Sequence, residues 1–202
     1  MLVEEGKITF RVVTIGNSSV GKTCILNRFL NDKFDVNQSN TVGAQVNHYS
    51  EQRNGHEIVV QLWDTAGQER YSSLAPIYFR NAAGALLIFD ITNAKSFSTL
   101  NKWLESFRSV TNENSLIFLV GNKVDLEQSR EVSREAANKW AQEHECHYFE
   151  TSAVTGVGIK ELFDQVCNIL LEKNVIANEE RTRTVIKPPD PQVPQDGGGC
   201  KC

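Results

Sequence analysis

Long apolar runs are missing from the 202-residue sequence. The longest one, Ala82–Phe89, has eight residues and stops at Asp90, whereas a membrane-spanning helix needs about 20. The segment Met1–Phe10 contains three charged residues and no apolar stretch of the kind found in secretory signals. The sequence therefore predicts a chain that does not cross a bilayer and that lies in a cytosolic, reducing compartment.

Excess positive charge is also missing. The chain has 21 Lys and Arg residues against 25 Asp and Glu residues, which gives a formal net charge of -4. Proteins that bind nucleic acids carry basic surfaces that contact phosphates, and the charge of the whole chain gives no sign of one. We therefore expect no nucleic-acid partner. The 40% share of hydrophobic residues is enough to build one full core.

Cysteines are few and irregularly spaced. The chain has five, and an odd number without a regular spacing argues against a disulfide framework. Cys24, Cys146 and Cys167 are scattered through the body of the sequence, which predicts small core residues. Cys200 and Cys202 stand apart, in a segment of different composition.

Proline is scarce except near the end of the sequence. Four of the five prolines lie in Lys187–Pro194, and Gly197–Gly199 follows. Such a segment has too few apolar residues to build a packed core, so it predicts a flexible linker. We accordingly predict an N-terminal extension over residues 1–7, one domain over residues 8–172 and a flexible tail over residues 173–202.

Apolar stretches with strand character alternate with helical patterns along residues 8–172. This alternation predicts an α/β fold, in which helices cover both faces of a parallel sheet and ligands bind at the carboxyl ends of the strands. The Asn54–Gly55 pair is a strong hairpin signal and adds one antiparallel strand. The predicted strands are Ile8–Ile15, Ala44–Gln52, Ile58–Trp63, Ala85–Asp90, Leu116–Gly121 and His147–Thr151, and the predicted helices are Lys22–Asn31, Ser96–Ser109, Ser133–His144 and Ile159–Leu171.

The segment Gly16–Thr23 fits the phosphate-binding pattern G-x-x-x-x-G-K-[ST]. Its glycines let the backbone N–H groups face an anion, and the helix that starts at Lys22 adds its N-terminal dipole. We expect Lys22 to reach the β- and γ-phosphates and the Thr23 hydroxyl to ligate Mg²⁺. A chance match in a Gly/Ser turn is the alternative. This pattern alone does not choose between ATP and GTP, or between a switch and a metabolic kinase.

The segment Asn122–Asp125 follows the predicted strand Leu116–Gly121 directly. The Asp125 carboxylate can accept hydrogen bonds from N1–H and the 2-amino group of guanine, a donor pair that adenine lacks. Lys123 can lie along the base or brace the phosphate loop. The alternative is a loop of common polar residues. The position of the segment directly after a parallel strand argues against this alternative.

These two motifs, with Asp64–Glu69 between them and Glu150–Ala153 after them, resemble the Ras superfamily of small GTPases. The resemblance covers about residues 8–172. It implies the P-loop GTPase fold, with a six-stranded, mostly parallel sheet, one antiparallel edge strand and about five helices on both faces. It also implies that the chain binds GTP or GDP with Mg²⁺ and hydrolyses GTP.

The resemblance implies a role for each matching residue. The backbone of Ser152 and Ala153 contacts guanine, Phe34 lies beside the base, and Val154 stands where relatives often have lysine. The implied Mg²⁺ ligands are Thr23, Thr41 and Asp64, and the implied nucleotide contacts are Ser18, Ser19, Val20, Gly21, Lys22, Thr23, Cys24, Phe34, Thr41, Gly67, Asn122, Lys123, Asp125, Thr151, Ser152 and Ala153.

The predicted catalytic residues are Gln68, Lys22, Thr41 and Gly67. Gln68 can orient the attacking water, and the Gly67 N–H group can approach the γ-phosphate because glycine has no Cβ. Loss of that phosphate would release the Thr41 and Gly67 loops. No arginine lies between Lys33 and Arg53 to stabilise the transition state, so we expect slow hydrolysis that an activating protein accelerates. A module that binds GTP without hydrolysing it and a P-loop kinase remain alternatives.

Three further segments resemble the Rab branch of the superfamily: Trp63–Tyr71, Tyr78–Ala82 and Thr41–Val46. In Rabs, a Phe, a Trp and a Tyr form an aromatic triad that effectors recognise, and here the corresponding residues are Val46, Trp63 and Tyr78. The residues Ser73, Leu74, Ala75 and Pro76, with Gly43 and Ala44, are similar to the endosomal subgroup.

The sequence ends in Gly199-Cys200-Lys201-Cys202. This ending resembles the Cys-x-Cys signal on which Rabs carry two geranylgeranyl groups, and two lipids anchor a protein stably where one does not. A metal or redox cysteine pair is the alternative. The resemblance thus predicts a regulator of vesicle-mediated trafficking on the cytoplasmic face of intracellular membranes, and the similarity to the endosomal subgroup indicates endosomal ones. Its implied partners are an exchange factor, an activating protein, a GDP-dissociation inhibitor or escort protein, and effectors.

Overall fold

The computed structural model describes residues 3–4, 7–67 and 75–185, in which strands alternate with helices as predicted. The strands are β1 Val3–Glu4, β2 Lys7–Ile15, β3 Ala44–Arg53, β4 His56–Thr65, β5 Gly84–Asp90, β6 Leu116–Asn122 and β7 His147–Thr151. The helices are α1 Lys22–Asn31, α2 Ala75–Phe79, α3 Ala94–Ser98, α4 Leu100–Arg108, α5 Arg134–Glu143 and α6 Ile159–Val185, with a 3-10 segment over Val124–Ser129.

The sheet has the strand order β3-β4-β2-β5-β6-β7, and the short β1 pairs antiparallel with the start of β2. β2 runs parallel to β4 and β5, and β5, β6 and β7 are parallel to one another. β3 is the antiparallel edge strand. Asn54 and Gly55 both have positive φ angles, as the tightest hairpin turns require. The predicted six-stranded, mostly parallel sheet is confirmed, with β1 as an addition that the sequence did not predict.

The core lies on both faces of the sheet, because successive residues of a strand point to opposite sides. Val13 and other residues of β2, β5 and β6 cluster on one face with Leu104 of α4 and with α5. Their neighbour Val12 is equally buried and faces the other side. There Phe29 of α1 stacks on Phe163 of α6, with ring centroids 3.7 Å apart. Helices therefore cover both faces, as predicted.

Two predicted helices differ from the structure. The predicted helix Ser96–Ser109 is divided into α3 and α4 at Thr99, whose hydroxyl lies 3.0 Å from the Ser96 carbonyl oxygen and 3.0 Å from the Asn17 amide oxygen. A side chain that bonds to nearby backbone in this way competes with the helix. The last helix continues beyond the predicted end at Leu171, to Val185, through residues that are free of proline.

The short helix α2 was not predicted. The described residues up to Leu170 form one compact unit, and those from Leu171 belong to a second unit, which the structure describes as helix through Val185. None of the described helices is long and apolar enough to span a membrane.

Candidate functional site

A cavity of about 510 Å³ opens where β2, β5, β6 and β7 end, the edge at which ligands bind in α/β folds. Val20, Thr151 and Ser152 are buried and do not line it. The predicted nucleotide contacts that line this cavity are Ser18, Ser19, Gly21, Lys22, Thr23, Cys24, Phe34, Thr41, Gly67, Asn122, Lys123, Asp125 and Ala153.

The phosphate loop joins β2 to α1 and depends on two glycines. Gly16 has a φ of 138°, and a Cβ there would lie 2.2 Å from the Ile88 carbonyl oxygen. Gly21 has a φ of 99°, and a Cβ there would lie 2.3 Å from the Asn122 side chain. Both values are far below normal contact distances, so any other residue would displace the loop.

Lys22 is buried at the floor of the phosphate loop. Its ammonium group donates hydrogen bonds to the carbonyl oxygens of Gly16 and Asn17, at 3.0 and 2.8 Å. Burial lowers the pKa of Lys22 to about 8, although the nearby Asp64 carboxylate acts in the opposite direction. This position gives a cation that is desolvated and ready for an anionic ligand.

The three predicted Mg²⁺ ligands converge beside Lys22. The Thr23 hydroxyl lies 2.8 Å from the Thr41 hydroxyl and donates to the Asp64 carboxylate at 2.6 Å. The Thr41 hydroxyl lies 3.2 Å from the same carboxylate oxygen, and Thr14 donates to the other oxygen at 3.2 Å. A carboxylate with two hydroxyls is an all-oxygen set of the kind that Mg²⁺ prefers when phosphates and waters complete its shell, so these residues fit the ion.

Gly67 packs directly against the phosphate loop. A Cβ on it would lie 2.2 Å from the Lys22 ammonium nitrogen and 2.5 Å from the Asn17 carbonyl oxygen, so only glycine fits. The preceding residue, Ala66, donates its N–H group to the Gly43 carbonyl oxygen at 2.9 Å. This hydrogen bond links the segment that contains Thr41 to the segment that contains Gly67. Gln68 lies outside the described residues.

Asn122 connects the two halves of the cavity. Its amide nitrogen donates to the Val20 carbonyl oxygen at 2.9 Å, in the phosphate loop. Its amide oxygen accepts from the Thr151 hydroxyl at 3.2 Å and from the Ala153 N–H group at 3.3 Å. Because Asn122 is 1% exposed, both ends of this amide need partners inside the protein.

Lys123 and Asp125, which follow Asn122, are held in place by an ion pair and a hydrogen bond. Lys123 has a left-handed backbone with a φ of 72°, and its ammonium group pairs with Asp90 at 2.7 Å. The Ser152 hydroxyl donates to the Asp125 carboxylate. The carboxylate that we predict to read guanine is therefore oriented by the segment that follows β7.

Several residues that lie close to the cavity without lining it were not predicted as site residues. Asp90 ends β5 and pairs with Lys123, and its position at the carboxyl end of a buried strand was a usable signal. The Asn17 side chain accepts from Trp103 at 2.7 Å, which ties the phosphate loop to α4. Nothing in the local sequence marks this contact. Glu150, a member of the last motif, pairs with Arg130 and lies outside the cavity lining.

The residues of the predicted effector triad are neighbours. Val46 and Trp63 are register partners on β3 and β4, and the Trp63 and Tyr78 rings lie 6.4 Å apart. Val46 is 41% exposed. The Arg11 guanidinium lies over the Trp63 ring at 4.3 Å from its centroid. The predicted lipidation residues, Cys200 and Cys202, lie outside the described residues.

Comparisons with known proteins agree with this architecture. A model of the Ras family matches residues 11–172. Ras-related protein Rab-10 of Caenorhabditis elegans is 39% identical over 191 residues, which cover 95% of this chain and 95% of that protein. Ras-related protein Rab-4A of Homo sapiens is 40% identical over 164 residues, which cover 81% of this chain and 75% of that protein. The chain therefore belongs to the Ras family and is a Rab-type small GTPase, a GTP hydrolase of membrane trafficking.

Proposed function

We propose that this chain binds GTP or GDP with Mg²⁺, hydrolyses GTP slowly, and cycles between an active membrane-bound state and an inactive state. The observation that carries the proposal is one cavity with two specialised ends. The Lys22 ammonium group and the oxygens of Thr23, Thr41 and Asp64 meet at one end. The Asp125 carboxylate lies at the other end.

The phosphate end suits a switch because its groups come from separate segments. Thr23 is fixed on α1, whereas Thr41 follows the exposed stretch Asp35–Asn40. Gly67 and Thr41 belong to segments that share the hydrogen bond from the Ala66 N–H group to Gly43. A γ-phosphate that draws both segments inward would order them together, and its loss would release them together.

Hydrolysis in this proposal depends on positioning and charge. Gln68 orients the attacking water, the Gly67 N–H group faces the γ-phosphate, and Lys22 stabilises the charge that develops on the phosphate oxygens. When bound, Mg²⁺ neutralises charge on the β- and γ-phosphates, and Thr23, Thr41 and Asp64 are the residues that would hold it. The intrinsic rate stays low because no arginine of the described residues lines the cavity.

Single-turnover phosphate release tests this activity against the alternative of a GTP-binding module. We expect Gln68→Leu to keep GDP and GTP binding and to lower hydrolysis, with and without an activating protein. Gln142→Leu, on the exposed surface of α5, is the matched control and should hydrolyse GTP at the parent rate. Parent-rate hydrolysis by the Gln68→Leu protein would remove Gln68 from the mechanism, and no hydrolysis by the parent would favour the binding module.

A second experiment separates the proposal from a P-loop kinase. ATP should fail to displace bound guanine nucleotide, because adenine lacks the donor pair that Asp125 accepts. Thr23→Asn should lose Mg²⁺ and GTP preferentially and leave a GDP-like form, since the hydroxyl at the metal position is gone. Efficient displacement by ATP would contradict the assignment of the base end.

Membrane attachment in this proposal comes from geranylgeranyl groups on Cys200 and Cys202, at the end of a Pro-rich spacer. Each lipid contributes about 0.8 kcal/mol of membrane binding for every CH₂ group that it buries. Two lipid chains therefore anchor a protein stably to a membrane, whereas one chain anchors it only marginally. The change of both cysteines to serine should make the protein cytosolic with nucleotide binding intact, whereas Cys146→Ser should leave it on membranes. An unmodified C-terminus in mass spectra of protein from its own cells would exclude the lipid anchor.

The same proposal includes the partners that the family implies: an exchange factor, an activating protein, a GDP-dissociation inhibitor or escort protein, and effectors. The two kinds of relative, Rab-10 and Rab-4, are similar to this chain to nearly the same degree, at 39% and 40% identity. An endosomal location is therefore part of the proposal and is not singled out by these relatives. Microscopy of the tagged parent protein and of the tagged Gln68→Leu variant would identify the membrane on which each of them lies.

A further inference from the structure

Arg28 joins the helix that follows the phosphate loop to the segment that follows β7. Its Nε atom donates to the Ala153 carbonyl oxygen at 2.8 Å, and its Nη2 atom donates to the Val154 carbonyl oxygen at 2.7 Å. The contact spans 125 residues of sequence, and the Arg28 side chain is 18% exposed. Its Cδ atom also lies 3.7 Å from the position that a Cβ would take on Gly156. The guanidinium and its stem thus both rest on this segment.

The two carbonyl groups that Arg28 contacts fix the orientation of two peptide planes. In a trans peptide the C=O and N–H groups point in opposite directions, so the Val154 N–H group points away from Arg28. The N–H group of the next peptide, that of Thr155, donates to the Ser152 hydroxyl at 3.0 Å. The same hydroxyl donates to the Asp125 carboxylate. A continuous chain of contacts therefore leads from Arg28 to the carboxylate that faces the base.

Arginine is well suited to this position. Its rigid guanidinium presents donors side by side, which match two successive carbonyl oxygens, while lysine is a point charge on a flexible stem. The Nη1 group contacts the Asp32 backbone and carboxylate oxygens at 3.1 and 3.0 Å. Hydrogen bonds from a charged donor are about twice as strong as neutral ones, so the segment is held firmly although its own residue 154 is an uncharged valine.

We propose that Arg28 is a positioning residue that sets how long a guanine nucleotide stays bound, by holding the base-contacting segment Ser152–Gly156 against α1. The inference rests on the proposed function, since it assumes that guanine occupies the end of the cavity near Asp125. Arg28 does not line the cavity, so it acts through the segment that it orients. Its loss raises the rate of nucleotide release and leaves the chemistry at the phosphate end unchanged.

The test measures release of fluorescent methylanthraniloyl-GDP from the full chain after addition of excess GDP. We expect Arg28→Ala to release the nucleotide about 10-fold faster than the parent, because charge-assisted hydrogen bonds to two carbonyls are lost. Arg28→Lys should give an intermediate rate. The matched control is Arg108→Ala, which removes an arginine that donates to a carbonyl oxygen, that of His144, at 2.8 Å outside the cavity lining. It should release the nucleotide at the parent rate.

Two readouts separate positioning of the base from a general structural role. Arg28→Ala should raise the rate of nucleotide release by the same factor in Mg²⁺ and in EDTA. The free-energy effects of changes at independent sites add, so their effects on a rate multiply. Single-turnover GTP hydrolysis should match the parent. An acceleration that disappears in EDTA would mean that Arg28 acts through Thr23 and the metal end, and would overturn the proposal.

The remaining outcomes are also decisive. Parent-like release by Arg28→Ala would overturn the inference alone, because binding by the parent would still support the proposed function. If Arg28→Ala does not fold, Arg28→Lys provides the measurement, and parent-like release by that variant would overturn the inference in the same way. A parent chain that fails to retain the nucleotide at all would overturn the proposed function itself, and the inference with it.

Discussion

The two ends of the cavity hold their side chains in different ways. At the phosphate end, Thr23, Thr41 and Asp64 contact one another across three separate segments. At the base end, β6 and β7 lie side by side in the sheet, and their last residues, Asn122 and Thr151, are register partners. Paired strands of the sheet therefore position the base end, whereas at the phosphate end only Asp64 belongs to a strand, and Thr23 and Thr41 lie outside the sheet.

The two ends of the cavity also differ in the hydrogen-bond and ion-pair partners of their side chains. Lys123 is paired with Asp90, and Asp125 accepts from Ser152. Thr41, by contrast, follows an exposed stretch, and its hydroxyl contacts only the other groups of the candidate metal site among the hydrogen bonds of the described residues. We therefore expect the base end to bind GTP and GDP alike and the phosphate end to tell them apart.

The largest effect should come from breaking the base end. Asp125→Asn replaces two acceptor oxygens by an amide that presents donors to the donors of guanine. We expect GDP affinity to fall by about 10³-fold, with xanthine nucleotides favoured in relative terms. Equilibrium titration with GDP and XDP measures both. Asp164→Asn, which alters a carboxylate that pairs with Arg53 elsewhere, is the control. Unchanged GDP affinity of Asp125→Asn would contradict the assignment.

Breaking the phosphate end should instead separate the two nucleotides. Thr41→Val keeps the shape of the side chain and removes the hydroxyl near Asp64. We expect GTP affinity to fall by about 10-fold and GDP affinity to change by less than about twofold, because Thr41 acts with the γ-phosphate. Thr111→Val, which removes a hydroxyl that donates to Phe107 away from the cavity, is the control. Equal losses for GTP and GDP would show that the phosphate end is not selective.

The comparison can be sharpened with pH, because the phosphate end contains a lysine with a lowered pKa. Lys22 has a pKa lowered to about 8 by burial, and bound phosphates would raise it by favouring the charged form. Binding then takes up a proton above pH 8, so affinity falls as pH rises. Linkage gives a loss of about threefold in GDP affinity between pH 7.5 and 8.5. Titration calorimetry measures it, and Lys22→Arg, which does not titrate there, should show no such slope.

The smallest effect concerns the outer side of the base end. Asp32 pairs with Arg28 at 3.0 Å, but its side chain is 94% exposed. Exposed ion pairs contribute little, so Asp32→Ala should change the nucleotide release rate by less than about twofold. Stopped-flow release of the fluorescent nucleotide checks this value. A rise in the release rate as large as that expected for Arg28→Ala would show that the segment after β7 is positioned by the ion pair and not by the two hydrogen bonds from Arg28 to carbonyl oxygens.

Elements with strong local signals were predicted best. The helix Lys22–Asn31 has the predicted bounds at both ends, because Gly21 and Asp32, which flank it, adopt left-handed conformations that stop a helix. The strand His147–Thr151 also has its predicted bounds. The break at Thr99 was missed, because one of the two groups that its hydroxyl contacts is Asn17, which lies 82 residues away in the sequence.

The candidate site was predicted to a similar degree. Most of the predicted nucleotide contacts line one cavity, because each belongs to a motif in which the spacing of residues reflects a local backbone requirement. Asp90, Asn17 and Arg28 were missed, since their partners Lys123, Trp103 and Ala153 lie 33, 86 and 125 residues away in the sequence. The pairing of these residues with such distant partners has no signature in a local pattern, although the position of Asp90 at the end of a buried strand does mark that residue itself.

The sequence by itself determined the phosphate loop, the base motif and the alternation of strands and helices. Each of these depends on properties that act over a few residues, such as the missing Cβ of Gly16 and Gly21 or the period of the apolar positions. Only the tertiary structure decided that Asn122 spans both halves of the cavity and that Arg28 holds the segment after β7. Those contacts exist because parallel strands bring distant segments to one edge of the sheet, where the close packing of buried polar groups leaves them few other partners.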